Sequence, residues 1–338
     1  MPAPPGPRTT VVIITRDRRD ELLRTLDHMT ALSDAAPVVV VDNASSDGSA
    51  DAVAVKHPEV RLIRAGANLA SLGRNLAVRR ITTPYVAFCD DDTCWEPGAL
   101  TGAAGLLDAH GGLATVTARI VVEPDLVEDP LTPELRDSPV PRPDWLPGPA
   151  LLSVLAGATM FRVAAFREVG GFSPRIWLGG EEELLAIDLA ARGWWMCWAE
   201  EVVVRHAPST LRDPRRRRQL GIRNTLWTTW LRRPARSALR RSGAVLRSLP
   251  RDRASVSAMC EALAGLPWVL RERRVVPPQV EQGLHLLEEP QRRSVAAATS
   301  ANSGAEPTAP PGPTSPGCSR GGSRPATASR PRTSPRGR

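Results

Sequence analysis

Three consecutive carboxylates, Asp90, Asp91 and Asp92, follow directly on the apolar run Tyr85-Val86-Ala87-Phe88 in the stretch PYVAFCDDDTCW. A β-prone run of that kind suits a strand buried on both faces. Three like charges at its end repel one another and resist desolvation. A hard divalent cation removes that penalty, because Mg²⁺ and Mn²⁺ take oxygen ligands and carboxylates supply them. If the chain stays extended there, Asp90 and Asp92 point to one side and Asp91 to the other. A solvated acidic turn is the alternative for the triplet taken alone. A second acidic cluster, Glu181-Glu182-Glu183, follows Gly179-Gly180 and opens a helical pattern that ends at Gly193. Acids at a helix start favour the macrodipole. A carboxylate at a pocket-facing helix start can also take a proton from a hydroxyl.

The elements that must position these groups alternate. Thr10 to Thr15 and Pro37 to Val41 read as buried strands, Val60 to Ile63 as a third, and Tyr85 onward as a fourth. Helical spacing occupies Asp20 to Leu32 and Ser49 to His57, and Asn68 to Arg80 begins as a loop and continues as a helix. Strand–helix alternation implies a mostly parallel sheet with crossover helices, whose ligands sit beyond the carboxyl ends of the strands. Three of those ends carry Thr15-Arg16, Asp42-Asn43 and Asp90-Asp91-Asp92. That convergence predicts one site. Asp42 there could accept hydrogen bonds from a nucleobase or ribose, or simply cap the turn SSDGS.

Farther along, Glu96 to His110 reads as a helix with Pro97 in its first turn, and Leu113 to Val122 as a strand. Glu123 to Pro149 is rich in proline and acids, an excursion or lid rather than core. A strand is expected over Gly157 to Arg162. Two short ones are expected over Trp194 to Trp198 and Val202 to Val204, with His206 just beyond.

The whole chain sets bounds. Its 338 residues carry a net charge of +8, but six arginines against Glu306 lie from Ser294 onward, so most of that charge belongs to the tail. Nothing calls for nucleic acid. Five scattered cysteines form neither a disulfide framework nor zinc spacing, which fits a reducing cytosol. The N-terminus lacks the layout of a secretion signal, and no apolar run reaches the roughly 18 residues of a membrane span. The expectation is a cytoplasmic protein whose membrane contact, if any, is peripheral at the inner face.

VVIITRDRRDELLRTL, VVVVDNASSDGS, NLASLGRN, PYVAFCDDD, GATMFRVAAFREVGGFSP, GGEEELLAIDLAARGW and VVVRH stand in the order found in family 2 glycosyltransferases of the GT-A fold. The chain resembles that family over about residues 8 to 207, and its bacterial members also in the stretch from Leu211 to Pro234. Seven motifs in register make the resemblance specific. It implies an α/β catalytic domain over residues 9–210, a nucleotide-sugar donor and a divalent cation, Mg²⁺ or Mn²⁺. It further implies that Asp92 binds the metal, that Asp90 helps with metal or ribose beside Asp91, and that His206 completes the metal or diphosphate site. Thr15 and Arg16 would line the nucleoside pocket, and Arg74 with Asn75 would match the pair near base and ribose. Ala70 departs from a glycine common in that loop. The general base falls in the acidic motif, at Glu182 by alignment back from Gly193, with Glu181 and Glu183 as neighbours; the family often has Glu-Asp there. A single base opposite the leaving group implies inversion.

The rest of the chain divides in two. Residues 211–293 read as a helical extension in which Arg223 intrudes on an apolar arc and could contact a phosphate. In Ala235 to Leu249, Leu239, Val245, Leu246 and Leu249 lie on one side and Arg236, Arg240 and Arg247 on another. With tryptophans nearby this reads as a membrane-surface element, or as a helix packed on its own catalytic domain. Residues 294–338 cannot bury a core and are expected to be disordered, like the flexible residues 1–8. The reading is a metal-dependent, inverting glycosyltransferase acting on a cell-envelope glycan, a lipid-linked glycan or a secondary metabolite in polysaccharide or cell-wall biosynthesis. A non-catalytic nucleotide-sugar-binding protein is the first rival. A sugar nucleotidyltransferase is the second, but it would want a glycine-rich phosphate loop, which TVVIITRDRRD lacks.

Overall fold

A computed structural model describes residues 6–34, 36–208 and 214–288. The expected tail from Ser294 lies outside the described residues. The first half alternates as the pattern requires: β1 (Thr9–Thr15), α1 (Arg19–Thr30), β2 (Val38–Asp42), α2 (Ser49–Lys56), β3 (Arg61–Arg64), α3 (Leu72–Val78) and β4 (Tyr85–Asp90). β1 and β2 are β-branched almost throughout and buried on both faces, which suits the interior of a parallel sheet. α1 turns Leu22, Leu26 and Met29 onto that sheet at helical spacing.

After β4 the chain does not stay extended. Asp91 and Asp92 form a turn into β5 (Thr93–Trp95), which is followed by α4 (Ala99–Ala109) and β6 (Leu113–Val122). Pro97 therefore lies outside α4, before the left-handed Gly98 that caps it. The proline-rich excursion holds β7 (Val127–Glu128) and α5 (Thr132–Arg136). A 3₁₀ turn at Ala156–Ala158 then leads into β8 (Thr159–Arg162) and α6 (Val163–Glu168), followed by α7 (Glu181–Ala191). Instead of two short strands, Trp195–His206 is one strand, β9, with a register shift against β6 between Ala118 and Arg119. The bulge absorbs the polar Glu200-Glu201 that made the pattern look broken.

The sheet runs β3-β2-β1-β4-β8-β6-β9-β5, with β7 on β6. The parallel expectation holds for β3-β2-β1-β4. Beyond β4 the sheet is mixed, because β8 runs antiparallel to both β4 and β6 while β9 is parallel to β6. Strand order reverses at β1, so a crevice opens where β1 and β4 end side by side. That is where Thr15 and the aspartates stand.

The C-terminal helices are α8 (Pro214–Arg232), α9 (Ala235–Ser248), α10 (Arg253–Ala264) and α11 (Leu266–Glu272), with a last helix over residues 278–288. Ile176 and Leu184, on either side of the acidic motif, share a core cluster with Leu226, Trp227 and Leu231 of α8 and with Ala262 and Val269. Burying a large apolar side chain contributes about 1.5–3 kcal/mol, so several together fasten α8 firmly to the segment carrying Glu181–Glu183. Trp227 and Trp230 pack inward, Trp230 Nε1 donating to Ser242 Oγ at 2.9 Å. On α9, Leu239 and Leu246 share the outward face with Arg236, Arg240 and Arg247, whereas Val245 packs inside. The apolar and basic residues are thus interleaved on one face instead of lying on separate sides.

Candidate active site

The three aspartates each meet an arginine. Arg18, just before α1, places Nη1 2.8 Å from Asp91 Oδ1 and 2.9 Å from Asp92 Oδ2. Thr15 Oγ1 at the end of β1 donates to Asp91 Oδ2 at 2.9 Å. Asp90 pairs with Arg74 of α3 and is the most exposed of the three. The turn is the reason Asp91 joins Asp92, and not Asp90, on one cation: extended backbone would have separated neighbours onto opposite faces. Burial pushes the Asp91 carboxyl up to about 6, against the opposing pull of Arg18.

A cleft of about 360 Å³ opens over them, lined on one side by Thr15, Arg16 and Asn43 and on the other by Trp177, Leu178, Arg216 and Arg217. Hydrogen bonds between short loops lace one wall together. Asp17 accepts from Ser46 N at 2.6 Å and Ser46 Oγ at 3.0 Å, and Asp47 accepts from Arg19 N at 2.9 Å. Asp42 does not line the cleft itself; it is buried and accepts from Ser45 N, at 3.2 and 3.3 Å to its two oxygens. Asn43 faces the cleft in its place, steadied by Leu69 N at 3.3 Å. Asn75 is likewise a clip in the wall, exchanging both hydrogen bonds with the Phe172 backbone at 2.8 and 2.9 Å. Arg74 lies buried beside the rings of Phe88 and Phe172, 5.6 and 5.8 Å from their centroids. Ala70 on the rim has φ +47, a left-handed conformation that explains why a glycine is usual there.

The acidic motif splits three ways. Glu182 Oε1 accepts from Ala156 N at 2.6 Å, in the 3₁₀ turn whose Gly157 backs onto Asp90. A Cβ added at Gly157 would sit 2.7 Å from Asp90 Oδ2, so only glycine lets the turn come that close. Desolvation pushes the Glu182 carboxyl up to about 7, the Ala156 amide opposing and Glu181 and Asp90 adding to the rise. Glu181 Oε2 is buried without a hydrogen-bond partner among the described residues. Glu183 instead faces the C-terminal helices, 3.9 Å from Arg241, and burial raises it as well. His206 makes its side-chain contact elsewhere than at the aspartate triplet. It lies opposite Thr93 on β5, and its Nδ1 stands 4.0 Å from Asp129. Arg223 pairs with Glu261 and stacks on Trp227.

Among the described residues no group of three or more metal-ligating side chains gathers at one point. The donor set still fits a cation carried in part by its ligand. Asp91 and Asp92 converge on a single position that Arg18 now fills, and Mg²⁺ sites commonly use one or two carboxylates with the rest from phosphates and water.

Residues 10–170 match the family model described as Glycosyl transferase family 2. Over those residues, just under half of the chain, the sequence is similar to that family. An N-acetylglucosaminyl-diphospho-decaprenol L-rhamnosyltransferase of Mycobacterium tuberculosis is 28% identical over 250 residues, covering 60% of this chain and 78% of the relative. Among solved structures, a mannosyltransferase of Pyrobaculum calidifontis in complex with GDP-Man and Mn²⁺ matches at TM-score 0.52 and 21% identity, over 89% of this chain and 81% of its own. GalNAc-T7 with UDP, GalNAc and Mn²⁺ matches at TM-score 0.55 and 13% identity, over 78% of this chain and 56% of that one. TarS of S. aureus matches at TM-score 0.54 and 16% identity, over 81% and 50%. The fold is therefore GT-A, and the enzyme is a bacterial glycosyltransferase.

Proposed function

We propose that the enzyme transfers a sugar from a nucleotide donor to a hydroxyl of a lipid-linked glycan, with inversion at the transferred carbon. The observation that carries the reading is the proximity of two chemistries: the aspartate cleft and the Glu182 carboxyl lie on either side of Ala156-Gly157. Asp92, with Asp90 or Asp91 beside it, would hold Mg²⁺ or Mn²⁺ jointly with the donor's diphosphate. When bound, the cation neutralises charge developing on the departing nucleoside diphosphate. Arg18 then has to yield its place between Asp91 and Asp92 and can turn to a phosphate oxygen instead. Thr15, Arg16 and Asn43 offer polar contacts along the nucleoside wall. Asp42 and Asn75 support that wall without lining it.

A carboxyl held near 7 suits a general base, which must be ionised yet basic enough to accept a proton. Glu182 meets that condition, takes the acceptor's proton as the new bond forms, and has Glu181 beside it to orient the acceptor. One base facing a departing diphosphate gives direct displacement, hence inversion. The relative's name supplies the acceptor class, a sugar on a polyprenyl diphosphate. No helix among the described residues is long and apolar enough to cross a membrane. Contact with such an acceptor would be peripheral, through the face of α9 where Leu239 and Leu246 stand among arginines. Calorimetry with UDP-, GDP- and dTDP-linked sugars, with and without Mn²⁺, tests the donor half. Binding of one nucleotide class that strengthens with metal is expected, and no binding of any would remove the reading.

A further inference from the structure

We propose that Asn224 of α8 is a positioning residue for transfer, holding the turn that carries Trp177 into the cleft and delivers Glu181 and Glu182 to the reacting groups. The inference rests on the assignment of the base to the acidic motif.

Asn224 is fully buried, yet every polar atom of its side chain is engaged. Its Nδ2 faces three successive carbonyls, donating to Trp177 O at 3.2 Å, Leu178 O at 3.4 Å and Gly179 O closer still. Its Oδ1 accepts from Arg223 Nε at 3.0 Å and Nη2 at 2.9 Å. Those two contacts fix which way the amide points, since an arginine can only donate. Arg223 is itself held by Glu261 Oε2 at 3.0 Å and by the Trp227 ring at 4.3 Å, and Gln219 fixes the other Glu261 oxygen at 2.6 Å. A rigid chain of groups thus runs from α10 through α8 to the turn.

The turn needs such a hold. Leu178, Gly179 and Gly180 have φ +51, +92 and +85, three left-handed residues in succession. That conformation is costly for leucine and directs consecutive carbonyls at one spot, where unpaired they would repel. Gly180 passes so close that an added Cβ would lie 3.2 Å from Asn224 Cβ. Trp177 and Leu178 line the cleft, and α7 begins one residue past Gly180 with Glu181 and Glu182. A shift of this turn moves the base and the cleft wall together, while the aspartates on β4 stay where they are.

Asn224→Asp keeps the shape and strengthens the pairing with Arg223, but sets a carboxylate against three carbonyls. Transfer would be measured in the full chain, to an alkyl glycoside of N-acetylglucosamine, from whichever sugar nucleotide the wild type turns over. The kcat is expected to fall by about 10²-fold, the scale of a 1 Å misplacement. Affinity for the nucleoside diphosphate should fall much less than kcat, because the aspartate half of the cleft is untouched. Asn224→Ser, which retains a donor, should recover part of the loss relative to Asn224→Ala, and this pair carries the contrast should the aspartate variant not fold. Near-wild-type kcat in Asn224→Asp overturns the proposal. So does serine no better than alanine, or kcat, nucleotide affinity and melting temperature falling in step, which would mark a folding role only. If the wild type transfers from no sugar nucleotide, or Glu182→Gln stays active, the reading of the site fails instead.

Discussion

Replacing Glu182 by Gln should make the protein more stable at neutral pH while silencing it. Glu182 is raised from an ordinary 4.5 to about 7, chiefly by desolvation. An acid whose folded value lies above its unfolded value binds more protons when folded. Its stability contribution is therefore intact below the unfolded value and declines as pH rises from about 4.5 to about 7. At about 1.36 kcal/mol per unit, the ionised carboxyl costs roughly 3 kcal/mol at pH 8. Glutamine retains the oxygen that accepts from Ala156 N and never ionises. Urea unfolding at pH 4.5 and pH 8 should thus show little difference between variant and wild type at the lower pH. At the higher pH a gain for the variant approaching that figure is expected. Asp91, also raised by burial, titrates in both proteins and cancels in the comparison. For the wild type, transfer should rise roughly tenfold from pH 6 to pH 7.5 as the base ionises. A stability difference that does not change with pH would refute the claim that Glu182 sits in a desolvated pocket, and with it the reason to choose it over Glu181.

Other consequences are simpler to check. Asp92→Asn should weaken Mn²⁺ binding in the presence of nucleoside diphosphate by at least tenfold in paramagnetic titrations; unchanged affinity would leave the aspartates as a charged turn paired with Arg18. Ala70→Gly should raise the melting temperature by a few degrees, since left-handed backbone costs alanine about 1 kcal/mol, and a drop would mean the rim tolerates the strain. Binding to anionic vesicles should weaken with salt and fall further in Leu239→Glu/Leu246→Glu; indifference to both would remove α9 as the contact surface.

The parts of the site legible in the sequence were those written in one local pattern. Buried β-prone runs ending in Thr15, Asp42 and Asp90 mark strand ends, and a parallel sheet has to bring such ends together. What depended on pairing between distant segments was not legible. Nothing in TMFR says that β8 runs against β4, so a mostly parallel sheet is legible and the place where it turns mixed is not. The bulge in β9 hid as a polar interruption. Arg18 stands among Arg16 and Arg19 with nothing in its spacing to single it out, although it closes on two aspartates more than seventy residues away. Asn224 lies within the stretch from Leu211 to Pro234 that shares the resemblance, but its partners, three carbonyls of a left-handed turn, are invisible to any spacing rule. The signals available were Leu-Gly-Gly before the acids and an asparagine at the edge of an apolar arc.

The central claim is that the aspartate cleft binds a nucleotide sugar and the neighbouring glutamate activates the acceptor. One comparison tests it most directly: release of nucleoside diphosphate and formation of glycosylated acceptor by wild type and Glu182→Gln, with Mn²⁺ present and chelated. The account predicts metal-dependent transfer by the wild type, donor binding retained in the variant, and transfer by the variant reduced about 10²–10⁴-fold. Transfer by Glu182→Gln at the wild-type rate, or wild-type transfer indifferent to chelation, would contradict it.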